Sequence, residues 1–274
     1  MKDRYLKIFR KLKMHSEGCL IPFVVLGDPN FDISLNIICN IIENGADAIE
    51  VGIPFSDPLA DGPIIQNANL RAISSKVTVL KCFNMIKYIR KKYPNIPIGL
   101  LTYSNLVFAN GINNFYKKCY LCGLDSILIV DLPIEECTPF YKSSKKNDVS
   151  QIFICPPDIN DKFLKKIVEI SKSYIYLLSR PGVTGIDNNN SFNIKGICNK
   201  IKKFSSIPLV QGFGIHSSKQ IKKILKLKID GIVCGSIIVK QIEKYLNNEN
   251  KIIKKINNLI VKFKNSTRKN YKIL

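Results

Sequence analysis

One alternation runs through this chain: a short apolar run, then a longer stretch with apolar residues every three or four positions. A strand buried on both faces reads as a continuous hydrophobic run, whereas the helix packed outside it shows a single stripe, so the alternation marks parallel β/α units. The candidate strands are Leu20 to Val25, Ala48 to Val51, Ile98 to Leu101, Ser126 to Val130, Gln151 to Ile154, Ile175 to Leu178, Pro208 to Val210 and Gly231 to Cys234. Eight of them in 274 residues predict one closed (β/α)8 barrel as a single domain, an architecture of typically about 250 residues.

The intervening spacing predicts helices over Ile33 to Glu43, Ile64 to Ile73, Val79 to Tyr93, Asn105 to Cys122, Asp161 to Ser171, Ser191 to Phe204 and Ser217 to Leu227. Two of them fall between the second and third strands, so the βα loops carry additional helices. Asp32 and Asp161 stand where N-caps are expected. Tyr5 to Leu12 reads as an extra N-terminal helix closing the bottom of the barrel. Asn250 to Phe263, with Ile252, Ile253, Ile256, Leu259 and Ile260 as one stripe, reads as the last outer helix. Residues 264–274 carry no structural signal and are expected to form a flexible tail.

Composition narrows the function classes. The longest apolar stretch, around Cys19 to Leu26, is interrupted by Pro22 and falls far short of the roughly 20 residues of a spanning helix. Met1 to Met14 interleaves lysines and arginines with apolar residues, unlike a secretory signal, so a cytoplasmic location is expected. Nine scattered cysteines lie mostly inside apolar runs, as small buried thiols do, and the lone Cys119–Cys122 pair has no second pair or nearby His to complete a zinc site. A net charge of +21 invites a nucleic-acid or membrane reading. The lysines are instead spread along helical segments (Lys87, Lys91, Lys92; Lys117, Lys118; Lys142, Lys145, Lys146; Lys222, Lys223, Lys226) without interleaved aromatics, which favours a solvated surface.

Chemistry collects at the C-terminal ends of barrel strands, and Glu50 ends the second one. A carboxylate at the tip of an apolar strand needs a partner or a task. The loop after it carries Pro54, Pro58, Pro63, Gly52 and Gly62, and presents Asp57 and Asp61 from restrained positions. Two carboxylates held apart in this way can take different pKa values, as paired acid and base work requires. Read alone, the segment is served equally by a buried glutamate bonded to backbone and an Asp-Gly turn. Three glycine-bearing turns follow late strands: Gly182-Val183-Thr184-Gly185, Gly212-Phe213-Gly214 and Gly235-Ser236. Ser236 would open a short helix, and together these turns favour a phosphate cradle over turn geometry alone. Arg180 and the polar run Asp187 to Asn190 read equally as a lid or as an ordinary exposed loop.

The segment from Glu50 to Gln66 resembles the signature of the tryptophan synthase α subunit family, indole-3-glycerol-phosphate lyases built on a TIM barrel. Pro22-Phe23, Gly27-Asp28-Pro29, Tyr103 to Phe108, Gly123 to Ser126, Asp131-Leu132-Pro133, Cys155-Pro156-Pro157, Leu177 to Gly185, Gln211 to Gly214 and Gly235-Ser236 follow in that family's order, over roughly residues 15–245. The resemblance implies Glu50 and Asp61 as the catalytic carboxylates. It implies Phe23, Leu101, Tyr103, Leu128, Ile154 and Tyr176 as the indole pocket. Thr184 and Gly185 would belong to a mobile loop, and Gly212, Phe213, Gly214, Gly235 and Ser236 would hold the phosphate. It implies no metal and no cofactor in this chain, with pyridoxal phosphate only in a partner β subunit, the two forming an αββα heterotetramer. The segments Pro54 to Pro58 and Asn105 to Phe108 would face that partner. Thr102 stands where a Met is frequent in the family, and Val130 replaces a smaller residue common at the pocket wall. Other readings are another phosphate-binding barrel, such as an isomerase of phosphoribosyl intermediates, a basic nucleic-acid-binding protein, or a weakly catalytic subunit that activates its partner.

Overall fold

Why the apolar runs are continuous is visible in the first of them: every residue of β1 (Cys19–Val25) is buried, one parity against the barrel interior and the other against the helices. In the computed structural model, which describes residues 3–178, 194–212 and 214–268, it is joined by β2 (Ile49–Gly52), β3 (Ile98–Thr102), β4 (Ser126–Ile129), β5 (Ser150–Cys155), β6 (Ile175–Leu178), β7 (Leu209–Gly212) and β8 (Gly231–Cys234). All pair in parallel in chain order, and β8 closes onto β1. The fold is a closed (β/α)8 barrel.

Twelve helices surround the strands among the described residues: α1 (Arg4–Met14), α2 (Phe31–Glu43), α3 (Pro63–Ser74), α4 (Val79–Lys92), α5 (Ser104–Ala109), α6 (Ile112–Cys122), α7 (Thr138–Asn147), α8 (Asp161–Ile170), α9 (Ile194–Phe204), α10 (Ser218–Leu225), α11 (Ser236–Lys244) and α12 (Glu249–Thr267). α1 seals the N-terminal end of the barrel, with Tyr5, Phe9 and Leu12 buried, the Tyr5 ring 5.1 Å from that of Tyr174, and Arg4 paired with Asp125 just before β4. None of the described helices is long and apolar enough to cross a membrane.

Several expectations need correction. The N-caps are Asn30 and Asn160, not Asp32 and Asp161: each asparagine is extended and accepts from a backbone N–H three residues on, while the aspartates lie in the first turn. The single helix expected over Asn105 to Cys122 is two, because Gly111 takes the left-handed φ of +72° between α5 and α6. α7 carries Lys142, Lys145 and Lys146, which are expected on a helical segment, but the apolar spacing gives that segment no bounds. It buries only Phe140 and Ser144, too sparse a pattern for periodicity to register.

The expected tail from residue 264 is also corrected, because α12 runs on to Thr267. Lys264 bridges Glu17 at 2.8 Å and Asp47 at 2.9 Å, and Ser266 and Thr267 are buried. These ties are polar and distant in sequence, so an apolar stripe could not reveal them. Residues 269–274 lie outside the described residues.

Candidate active site

Barrel parity aims one set of strand residues inward. Phe23 pairs in register with Glu50, and Glu50 with Gly99, so the carboxylate enters the interior between its two neighbouring strands. Phe23, Glu50, Leu101, Leu128, Ile154, Tyr176 and Val233 then line one cavity of about 580 Å³. Its remaining wall comes from the end of the loop after β2 and the first turn of α3 (Ala60 to Ile65), from Val130 and Leu178, and from the late segments carrying Gly214, Ile215, His216, Gly235, Ser236, Ile237 and Lys240.

Glu50 is 1% exposed, and neither carboxylate oxygen finds a hydrogen-bond partner among the described residues. Desolvation raises its pKa to about 8; the Tyr174 hydroxyl pulls the other way without meeting hydrogen-bond geometry with either oxygen. A buried, unpartnered carboxyl group is costly, and at neutral pH this one is held as the acid.

Asp61 is 8% exposed and differently furnished. The Tyr103 hydroxyl donates to its Oδ2 at 2.9 Å and accepts from the Ala60 N–H at 3.2 Å. Burial raises the Asp61 pKa to about 6, against the hydrogen bonds of Tyr103 and Asn69, so it is mainly ionised at pH 7. The Asp61 N–H donates to the Pro58 carbonyl at 3.0 Å, the Gln66 amide donates to the Asp61 carbonyl at 2.7 Å, and Phe55 stacks on Tyr103 with ring centroids 5.0 Å apart. The loop therefore presents its carboxylate from a braced position. Two acids share an apolar chamber, one a proton donor and the other an anion.

The late glycines divide by role. Gly214 takes φ +71° and lines the cavity. Gly212 is not among the lining residues: a Cβ there would lie 1.7 Å from the Tyr176 hydroxyl, so its missing side chain makes room for that phenol. At Gly235, a Cβ would meet Phe23 at 2.8 Å, so this glycine admits an aromatic wall residue as well as facing the cavity. Gly235 precedes α11 with no side-chain cap, which leaves the first turn of that helix open to an anion.

A family model described as tryptophan synthase alpha chain matches residues 9–268. The chain belongs to the tryptophan synthase alpha chain family. A tryptophan synthase alpha chain of Buchnera aphidicola subsp. Melaphis rhois is 54% identical over 265 residues, covering 97% of this chain and 98% of that one. Another, from Escherichia coli O17:K52:H18, is 46% identical over 266 residues, covering 97% and 99%. Among solved structures, a protein of Aquifex aeolicus VF5 superposes with a TM-score of 0.87 at 29% identity, over 97% of this chain and 99% of that one. A chain of Mycobacterium tuberculosis tryptophan synthase does so with 0.88 at 25%, over 98% and 100%.

Of the positions expected from resemblance to the tryptophan synthase alpha chain family, Glu50, Asp61, Phe23, Leu101, Leu128, Ile154, Tyr176, Gly214, Gly235 and Ser236 meet at this one cavity. Tyr103 stands behind Asp61 rather than on the wall. Thr184, Gly185 and Phe213 lie outside the described residues, as do Arg180 and the run Asp187 to Asn190. Cys119 and Cys122 are buried in the layer between barrel and helices, their thiols pushed up by desolvation. Val233, His216 and Lys240 escaped the sequence reading. Val233 was available from strand parity with Gly231, and Lys240 from its helical spacing to Ser236.

Proposed function

We propose that this protein cleaves indole-3-glycerol phosphate by a retro-aldol reaction to indole and glyceraldehyde 3-phosphate, the α reaction of tryptophan synthesis. The observation that carries this reading is the buried, unpartnered Glu50 sharing an apolar cavity with an Asp61 braced by Tyr103. The protonated Glu50 carboxyl gives its proton to C3 of the indole ring, which becomes an indoleninium cation. Asp61, an anion at neutral pH, stabilises the charge spread to the ring N–H. The Glu50 carboxylate then takes the proton of the hydroxyl on the adjoining side-chain carbon. As that O–H electron pair becomes the aldehyde carbonyl, the carbon–carbon bond to C3 breaks and its electrons return to the ring. Glu50 ends protonated, as it began. The apolar wall of Phe23, Leu101, Leu128, Ile154 and Tyr176 holds the ring and keeps water from both acids. Gly214, Gly235 and Ser236, joined by Thr184, Gly185 and Phe213, hold the phosphate, while Gly212, expected among them, serves instead to seat the Tyr176 phenol.

The reaction requires no cofactor in this chain. The partner is a pyridoxal-phosphate β subunit in an αββα assembly in the cytoplasm, which receives the indole. Leu59, 83% exposed on the loop after β2, and Phe108, 56% exposed on α5, offer apolar contacts for that subunit. The test is indole formation from indole-3-glycerol phosphate, with and without the β subunit. Release of indole in step with glyceraldehyde 3-phosphate is the expected result; absence of indole in both arms rejects the reading.

A further inference from the structure

Among the described residues that line the cavity, Lys240 is the one lysine or arginine. It lies on α11 four residues beyond Ser236, so the two share a helix face with Ile237 beside them, and it has no hydrogen-bond or ion-pair partner among the described residues. Side chains on an α-helix lean towards its N-terminus, so the stem of Lys240 carries its ammonium back over the uncapped first turn.

That turn supplies neutral amides and a dipole equivalent to about half a positive charge. A phosphate monoester brings about −1.5 to −2 into a chamber that already holds the Asp61 carboxylate. Amides and dipole alone leave that charge under-compensated. His216 also lines the cavity, but its Nδ1 is 2.9 Å from the Gly214 carbonyl oxygen, which can only accept, so that N–H is already engaged.

We propose that Lys240 reads the charge of the substrate's phosphate group, its ammonium binding the dianion at the mouth of the cavity and selecting it over uncharged indole alcohols. This rests on the lyase reading above. Lys240 is exposed, so solvent tempers the interaction to about tenfold in affinity.

Lys240→Met keeps the stem and removes the charge, while Lys240→Arg keeps the charge; as a surface change, the Met variant should match the unsubstituted protein in thermal midpoint. Two measurements on the full chain separate the possibilities: steady-state indole formation from indole-3-glycerol phosphate, and calorimetric binding of inorganic phosphate. In Lys240→Met, KM should rise about tenfold with kcat held within about twofold, phosphate should bind more weakly, and kcat/KM should lose much of its salt dependence. Lys240→Arg should recover most of the loss. If the unsubstituted protein releases indole and Lys240→Met leaves KM and phosphate affinity unchanged, the role of Lys240 is overturned and the lyase reading stands. A fall in kcat with KM unchanged also overturns it. If phosphate binds through Lys240 but no indole forms, with or without the β subunit, the lyase reading falls and the anion role stands. If neither phosphate binding nor indole formation is seen, both fall.

Discussion

The two carboxyl groups owe their different states to what touches them: Glu50 meets apolar walls and no hydrogen-bond partner among the described residues, whereas Asp61 accepts from Tyr103. Activity should therefore follow a bell, rising through about pH 6 as Asp61 ionises and falling through about pH 8 as Glu50 does, in a kcat/KM profile. Asp61→Asn should lose most turnover together with the acidic limb. The same shift acts on stability. The folded value of Glu50, about 8, lies above its ordinary 4.5, so folding retains a proton that the unfolded chain releases. Its contribution is whole below the ordinary value and is lost as pH rises through the folded one. Glu50→Gln should have a thermal midpoint close to that of the unsubstituted protein near about pH 4.5 and a higher one at about pH 8.5, read by calorimetry. Gly212→Ala, whose Cβ would lie 1.7 Å from the Tyr176 hydroxyl, should displace that phenol and depress turnover in the indole assay.

At the scale of elements, α12 holds to the barrel through Lys264, which is largely buried between Glu17 and Asp47. Lys264→Met leaves Asp47 only the Leu20 N–H at 2.8 Å and Glu17 only Arg268 at 3.3 Å, and should cost about 2 kcal/mol in urea unfolding, while Asn160→Ala, which removes an exposed cap, should cost about 1 kcal/mol. What could be read in advance follows from the same physics. Strands such as Ile175–Leu178 and Gly231–Cys234 are legible because burial on both faces leaves an uninterrupted apolar run. Glu50 and Asp61 are legible because a strand end and a proline-rich loop fix where they stand. The bounds of α7 are illegible because Phe140 is its one deeply buried apolar side chain, and the end of α12 because its partners lie more than two hundred residues away. The packing roles of Gly212 and Gly235 were illegible for a related reason: the aromatics that occupy their space come from other strands, and nothing local encodes that approach.

Over the whole molecule, closing eight parallel strands brings an acid, an anion and the open first turn of α11 to one end of the barrel, while α1 seals the other. Leu59, on the loop after β2, and Phe108, on α5, stand exposed. Leu59→Asp and Phe108→Asp should weaken association with the β subunit by about tenfold or more in a titration, since apolar anchors at an interface carry much of its energy. The most direct measurement is single-turnover indole release from indole-3-glycerol phosphate at neutral pH, comparing the unsubstituted protein with Glu50→Gln in the presence of the β subunit. Release should slow by a factor of about 100 or more while substrate affinity is kept. Equal rates in the two proteins would contradict the assignment of the proton to Glu50, and with it the proposed chemistry of the cavity.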